Sequence, residues 1–150
     1  MAQKVVANNI LFDQAAQFVA TGKEVEVPTK GNSMFPFIVG GKDSLILTSS
    51  NSLKVGDIVL AKINDTNYVV HRIISIENEK VTLMGDGNIA GREYCTPQQI
   101  FAKVKFIVHR NIKIDCNSNK QRRRAQLWRK LLPIRRYILG VWRRTPFYSF

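Results

Sequence analysis

The chain is short of cysteine, histidine and uninterrupted hydrophobic sequence, and each shortage removes a class of protein. Its 150 residues include two cysteines, Cys95 and Cys116, too few for a disulfide framework. The plain reading is two free thiols in a reducing compartment; a disulfide between them stays open. No window nears the roughly 18 apolar residues of a membrane-spanning helix. The first twenty residues do not read as a secretory signal, because Asn8, Asn9 and Asp13 interrupt them and Lys4 is their only positive charge. A cytoplasmic location, peripheral on a membrane at most, is the expectation. The only two histidines, His71 and His109, lie 38 residues apart. Neither cysteine has a partner at metal-ligand spacing, and no glycine-rich stretch ends in the Lys-Ser/Thr of a phosphate-binding loop. No metal and no cofactor are expected.

What is abundant is positive charge, and it is concentrated. The net charge is +12, yet no Asp or Glu follows Asp115, whereas ten of the 23 basic residues do. The thirteen basic residues before Lys120 face all eleven acidic ones, leaving +2. A nearly neutral body therefore carries a strongly basic tail. The hydrophobic fraction of 45% is ordinary for a chain that buries a core.

Texture along the chain suggests three parts. Residues 1–23 contain a helical pattern over 9–21, with Ile10, Leu11, Ala15, Phe18 and Val19 on one face, Asn8 or Asn9 as cap and Gly22 as stop. Residues 24–115 form a run of short Val/Ile-rich segments: 24–28, 44–48, 57–62, 68–76, 80–84 and 100–108. Turn-forming clusters separate them, with no helices between. This predicts a mainly β, antiparallel, barrel-like domain. Residues 116–150 return to helical spacing as a basic amphipathic tail. Leu127, Trp128, Leu131 and Leu132 form one stripe, and Ile134, Tyr137, Ile138, Val141 and Trp142 form the next. Pro133 between them predicts a kink, or a second helix that it starts.

The chemistry that remains is nucleophilic. A serine hydroxyl needs a base within hydrogen-bond reach, and a neutral histidine oriented by a carboxylate is such a base. Ser33 lies in the restricted turn Gly31-Asn32-Ser33-Met34-Phe35-Pro36. His71 is in the middle of the most apolar strand, and Asp86 lies in the turn Gly85-Asp86-Gly87-Asn88. Taken singly, each has a plainer reading: a turn serine, a half-buried strand histidine, a turn aspartate bonded to its own backbone.

Together they resemble a known family. Ser33-Met34-x-Pro36, Gly56-Asp57-Ile58-Val59, Val70-His71-Arg72-Ile73 and Gly85-Asp86-x-Asn88 are similar, in order, to the boxes of type I signal peptidases. Their β-fold superfamily also holds the self-cleaving LexA-like repressors. Bacterial signal peptidases and LexA-like proteins use a lysine base; the endoplasmic-reticulum and archaeal enzymes place a histidine there, as His71 does here. The resemblance implies Ser33 as nucleophile, His71 as general base and Asp86 as the residue that orients it. Glu93 is a lesser candidate for that last role. Gly31, Asn32, Met34 and Pro36 would position the oxyanion and substrate, with backbone N–H groups and the Asn32 amide serving because Gly31 replaces a hydroxyl side chain. It further implies a serine endopeptidase that removes a leader or signal-like segment from an extended peptide or pre-protein, with small side chains before the scissile bond. The expectation is a form without the family's membrane anchor, and one without a repressor's DNA-binding domain, for which the 30 residues before Gly31 are too few. His109 shares the Val-His-Arg flanks of His71 but has no Gly-Asp turn after it, and is assigned to structure. Asp43 and Asp57 are assigned to turns.

The tail sets Trp128 and Trp142 among Arg122, Arg123, Arg124, Arg129, Arg135, Arg136, Arg143 and Arg144, the pattern of helices that lie in a membrane interface. An anionic membrane surface is the expected partner of these residues, ahead of nucleic acid. The alternative to an enzyme is a catalytically inactive peptide- or membrane-binding adaptor of the same fold.

Overall fold

The computed structural model describes residues 2–65 and 67–144, including side chains except those of residues 2–8 and of Arg143. Helix α1 (Ala2–Ala20) precedes strands β1 (Val25–Pro28), β2 (Ser44–Thr48), β3 (Ile58–Ile63), β4 (Asn67–Glu77), β5 (Lys80–Met84), β6 (Glu93–Cys95), β7 (Ile100–His109) and β8 (Ile112–Asp115). Helices α2 (Asn119–Lys130) and α3 (Arg135–Arg143) follow, joined by a single 3-10 turn over Leu132–Ile134. The strands form one antiparallel sheet in the order β1-β2-β7-β3-β4-β5-β6, with β8 paired to β7. Register shifts at Ile46/Leu47, Leu60/Ala61 and Ile73/Ser75 add local twist and curl the sheet into an open half-barrel.

Alternation of side chains explains the centre of the sheet. In β3, Ile58 and Leu60 join one apolar cluster with Ala15 and Val19 of α1, Val27, Leu45, Leu47 and Val104. Their neighbours Val59 and Ala61 join a second cluster with Ile73, Val81, Leu83 and Ile100. A strand buried on both faces must be apolar at successive positions, as β3 is. A third cluster joins Phe35 to Trp128 and Leu139 of the C-terminal helices.

Several boundaries differ from the sequence reading. Helix α1 begins at Ala2, so Asn8 and Asn9 lie within it and do not cap it; nothing between Ala2 and Val6 breaks a helix. Its end is as expected, with Gly22 at φ +86° donating to the Val19 carbonyl. Strands β6 and β8 were not anticipated. The first is three residues long after a glycine-rich turn. The second follows a two-residue hairpin whose Arg110 and Asn111 both take positive φ, a conformation that arginine rarely signals. Pro133 lies in the 3-10 turn between the two tail helices rather than at the first position of the second. Among the described residues no helix is long and apolar enough to cross a membrane.

Both cysteines are free. Burial pushes the Cys116 thiol up to about 12, against the opposing pull of Arg72. Burial, helped by the Glu93 charge, also raises Cys95. Since the thiolate is the reactive form, a disulfide-exchange reagent at pH 8 will label neither residue promptly in the native protein and both after denaturation. Fast labelling of either in the native state would contradict this packing.

Candidate active site

The Ser33 turn is built on backbone contacts. Phe35 N–H donates to the Asn32 carbonyl at 3.1 Å, and Phe37 and Ile38 N–H both donate to the Met34 carbonyl at 3.0 Å. Ser33 stays exposed while Met34 and Phe35 are buried beneath it. The Gly85–Asn88 turn clasps this loop from below, with Gly87 N–H donating to the Ser33 carbonyl at 2.8 Å. The approach is close enough to demand glycine. A Cβ on Gly85 would lie 2.3 Å from the Ser33 carbonyl oxygen, and one on Gly87 2.5 Å from that of Asn32.

Ser33 and His71 line the same cavity, of about 380 Å³. Its walls are mostly apolar: Leu11 and Phe12 from α1, Met34, Ile38, Leu45, Val70 and Tyr68, with Pro28, Thr29, Lys30 and Gly31 along the approach to Ser33. Tyr68 donates its phenol proton to Asp13 of α1, and its ring meets Phe12 with centroids 5.6 Å apart. Burial, and then the Asp13 carboxylate, raise the Tyr68 phenol well above its ordinary range. Tyr68 therefore stays protonated and fastens α1 over the cavity.

His71 is 6% exposed, and its Nδ1 lies 2.9 Å from Glu93 Oε2. An ionised carboxylate only accepts, so Nδ1 carries the proton and Nε2 is left as the basic nitrogen. Glu93 reaches His71 across an intervening strand: it pairs with Leu83 of β5, which pairs with Ile73 of β4.

Asp86, expected to orient His71, is engaged elsewhere. Adjacent residues on a strand point to opposite faces, and Asp86 meets Arg72, not His71. Arg72 Nε and Nη2 donate to Asp86 Oδ1 and Oδ2 at 2.8 and 2.7 Å, both side chains being buried. Arg72 Nη1 donates to the Gly56 carbonyl at 2.8 Å, and its guanidinium lies 4.8 Å from the Phe37 ring centre. Burial, the largest single influence, would lower the Arg72 pKa; the Asp86 charge and hydrogen bonds, with smaller contributions from Cys116 and Asp57, together outweigh it, and the net direction is upward. Asp86 also donates its N–H to Met34 Sδ at 3.4 Å and accepts Trp128 Nε1–H on its carbonyl at 2.8 Å. The carboxylate beside the histidine is thus Glu93, and Asp86 braces the turn beneath Ser33. Local sequence could not separate the two, because β6 is short and its pairing is nonlocal.

The other expected positioning residues divide. Gly31 (φ +76°) lies on the cavity wall and Asn32 is exposed beside Ser33. Met34 packs in the core. Pro36 faces a different cavity, shared with Trp128 and Trp142 of the tail, so it does not touch the space that Ser33 and His71 share. That second cavity, about 490 Å³, also holds His109, whose Nδ1 lies 2.5 Å from the buried Asp43 carboxylate. It is a histidine–carboxylate pair, but among the described residues no serine, threonine or cysteine lines its cavity. Asp43 also accepts from Val39 N–H and Asp57 from Lys54 N–H, each at 2.8 Å. Among the described residues no group of three or more His, Cys, Asp or Glu is placed to hold a metal ion.

Three tail residues expected to meet a membrane or anion are instead turned inward. Arg122 donates to Asp57 at 3.0 Å and to Asn117 at 2.9 Å. Trp128 is 7% exposed and Arg135 3%, because the apolar stripe of these helices buries against Phe35 and Phe37. Trp142 is partly exposed, its ring edge-on to Phe35 at 5.3 Å. Arg123, Arg124, Arg129, Arg136 and Arg144 face solvent, and the Arg143 side chain lies outside the described residues.

The curled antiparallel half-barrel, with its N-terminal helix and C-terminal helices, is consistent with the superfamily of LexA-like and signal peptidase-like proteins. Within it, the Peptidase S24-like family model matches residues 8–105, and the chain belongs to that family of peptidases. No curated protein matches the chain significantly.

The two carboxylates differ in what their loss does. Removing one partner of a buried ion pair strands the other charge, at a cost of about 3–5 kcal/mol. Asp86→Ala is expected to lower the unfolding free energy by that amount in urea titrations, whereas Glu93→Gln, at a partly exposed carboxylate, is expected to change it by less than about 1 kcal/mol. Equal small losses would show that Asp86 is not the brace.

Proposed function

We propose that the protein is a serine endopeptidase using Ser33, His71 and Glu93, and that its substrate is an extended peptide or pre-protein from which it removes a leader or signal-like segment. The observation that carries this reading is the shared cavity: an exposed serine and a buried histidine line it, and a carboxylate stands 2.9 Å from the histidine's Nδ1. His71 Nε2 takes the proton of Ser33 Oγ as that oxygen attacks the scissile carbonyl. The imidazolium, stabilised by Glu93, then returns the proton to the leaving amine. Water, deprotonated by the same nitrogen, attacks the acyl ester, and the imidazolium passes that proton to Ser33 Oγ as the ester bond breaks. Backbone N–H groups of the Ser33 turn, with the Asn32 amide, would serve as donors to the developing oxyanion.

The substrate geometry follows from the sheet. Strand β1 ends the strand order with β2 as its one neighbour, and the chain after it, Thr29 to Gly31, runs along the cavity to Ser33. A peptide added along this edge as an extra strand would present alternate side chains to the cavity. The apolar wall of Leu11, Phe12, Ile38 and Leu45 suits an apolar side chain there.

The first experiment compares peptide N-termini in cells carrying wild-type protein with those carrying Ser33→Ala. N-termini that vanish in the mutant while their precursors accumulate are the expected result; identical profiles with the mutant folded would point to a non-catalytic adaptor. With a cleavable peptide in hand, Glu93→Gln should lower kcat by up to about 10⁴-fold, and Asp86→Asn should act through stability.

A further inference from the structure

The C-terminal helices carry two apolar faces, and among the described residues only one is packed against the fold. Ala125, Trp128, Leu131, Ile138 and Leu139 turn inward, most of them onto Phe35 and Phe37. Positions 134, 137 and 141 follow helical spacing on the opposite side, where Ile134 is 48% exposed, Tyr137 61% and Val141 66%. Leu127, on α2, is 58% exposed. The cations Arg123, Arg124, Lys130, Arg136 and Arg144 stand around them in solvent, and among the described residues none forms an ion pair with a carboxylate.

The connector between the two helices adds a second feature. With β4 and β5 it borders a cavity of about 590 Å³ lined by Arg129, Lys130 and Arg135 above Ile74, Met84 and Leu132, with no carboxylate among the described lining residues. Arg135 is almost wholly buried, yet its guanidinium donates only to the carbonyl oxygens of Asn88 and Trp128, and its Nε has no acceptor. The carboxylate whose charge it feels, Asp86, is already held by Arg72, and a phosphate in this cavity would offset the remaining cost of burying the cation.

We propose that this face docks on an anionic phospholipid surface. Ile134, Tyr137, Val141 and Leu127 enter the interfacial layer, and headgroup phosphates take the cavity beside Arg129, Lys130 and Arg135. Three of these four side chains are aliphatic, a kind that enters a bilayer interface but offers bases no stacking surface, and Tyr137 alone has a ring; this favours lipid over nucleic acid. Association with a second copy would oppose two faces of the same positive charge.

The test is co-sedimentation of the full chain with phosphatidylcholine vesicles, with and without phosphatidylglycerol. Binding is expected only to the anionic vesicles and should weaken with salt. Lys130→Gln and Arg129→Gln should each lower affinity about five-fold. Ile134→Ser with Val141→Ser, at exposed positions that leave the core intact by circular dichroism, should lower it at least ten-fold. Ser33→Ala should bind as wild type, which keeps this surface separable from the peptidase reading. Equal binding to neutral vesicles, no binding, tighter binding to an oligonucleotide, or self-association lost with the apolar substitutions would each overturn the proposal.

Discussion

The buried ion pair between Arg72 and Asp86 is the contact on which the rest of the architecture leans. Taking two charges out of water costs several kcal/mol per ion even after relaxation. Here the cost is offset by a two-pronged contact, by the Gly56 carbonyl and by the face of Phe37. What such a pair supplies is position. It ties β4, which carries the histidine, to the turn whose Gly87 holds the serine loop and whose Asp86 carbonyl receives the tail indole. Strand, nucleophile loop and tail thus have one common anchor. It is off the surface, so salt screens it little.

The sequence disclosed the architecture well where the signal was local. Val/Ile-rich runs bounded by turn-forming clusters found six of the eight strands. Strand β6 escaped this test because three residues are too few to stand out as a run. Strand β8 failed because its hairpin turn uses arginine in a left-handed conformation. Of the candidate site, the serine turn and strand histidine could be read from short boxes. The histidine's carboxylate could not be, because two acidic residues, Asp86 and Glu93, follow within one loop. Which of them reaches the ring depends on strand pairing set by Leu83 and Ile73. The tail was half legible: helical spacing gave the stripes, but the side facing the core depended on Phe35 and Phe37, nearly a hundred residues earlier.

The repeated Val-His-Arg shows what motif and context each contribute. Both histidines pair through Nδ1 with a carboxylate, His71 with Glu93 and His109 with Asp43. Both also border cavities of comparable volume. They part company in what stands across the space. An exposed serine on a braced turn lines the first cavity; aromatic and aliphatic side chains from the tail fill the rim of the second. A histidine–carboxylate pair is common structural currency, and the nucleophile opposite gives it a chemical meaning.

The indole bond from Trp128 to the Asp86 carbonyl has a consequence for how the chain comes apart. Composition changes abruptly near residue 116, yet the packing there is continuous. Detaching α2 and α3 would free a buried carbonyl on the residue that pairs Arg72, uncover Phe35 directly behind the serine, and release Arg122 from Asp57. The basic segment and the serine loop therefore belong to one cooperative unit of unfolding. In hydrogen exchange, amides of the 33–38 turn and of α2 would open together, so that the chemical boundary in the sequence is invisible to the protein's own energetics.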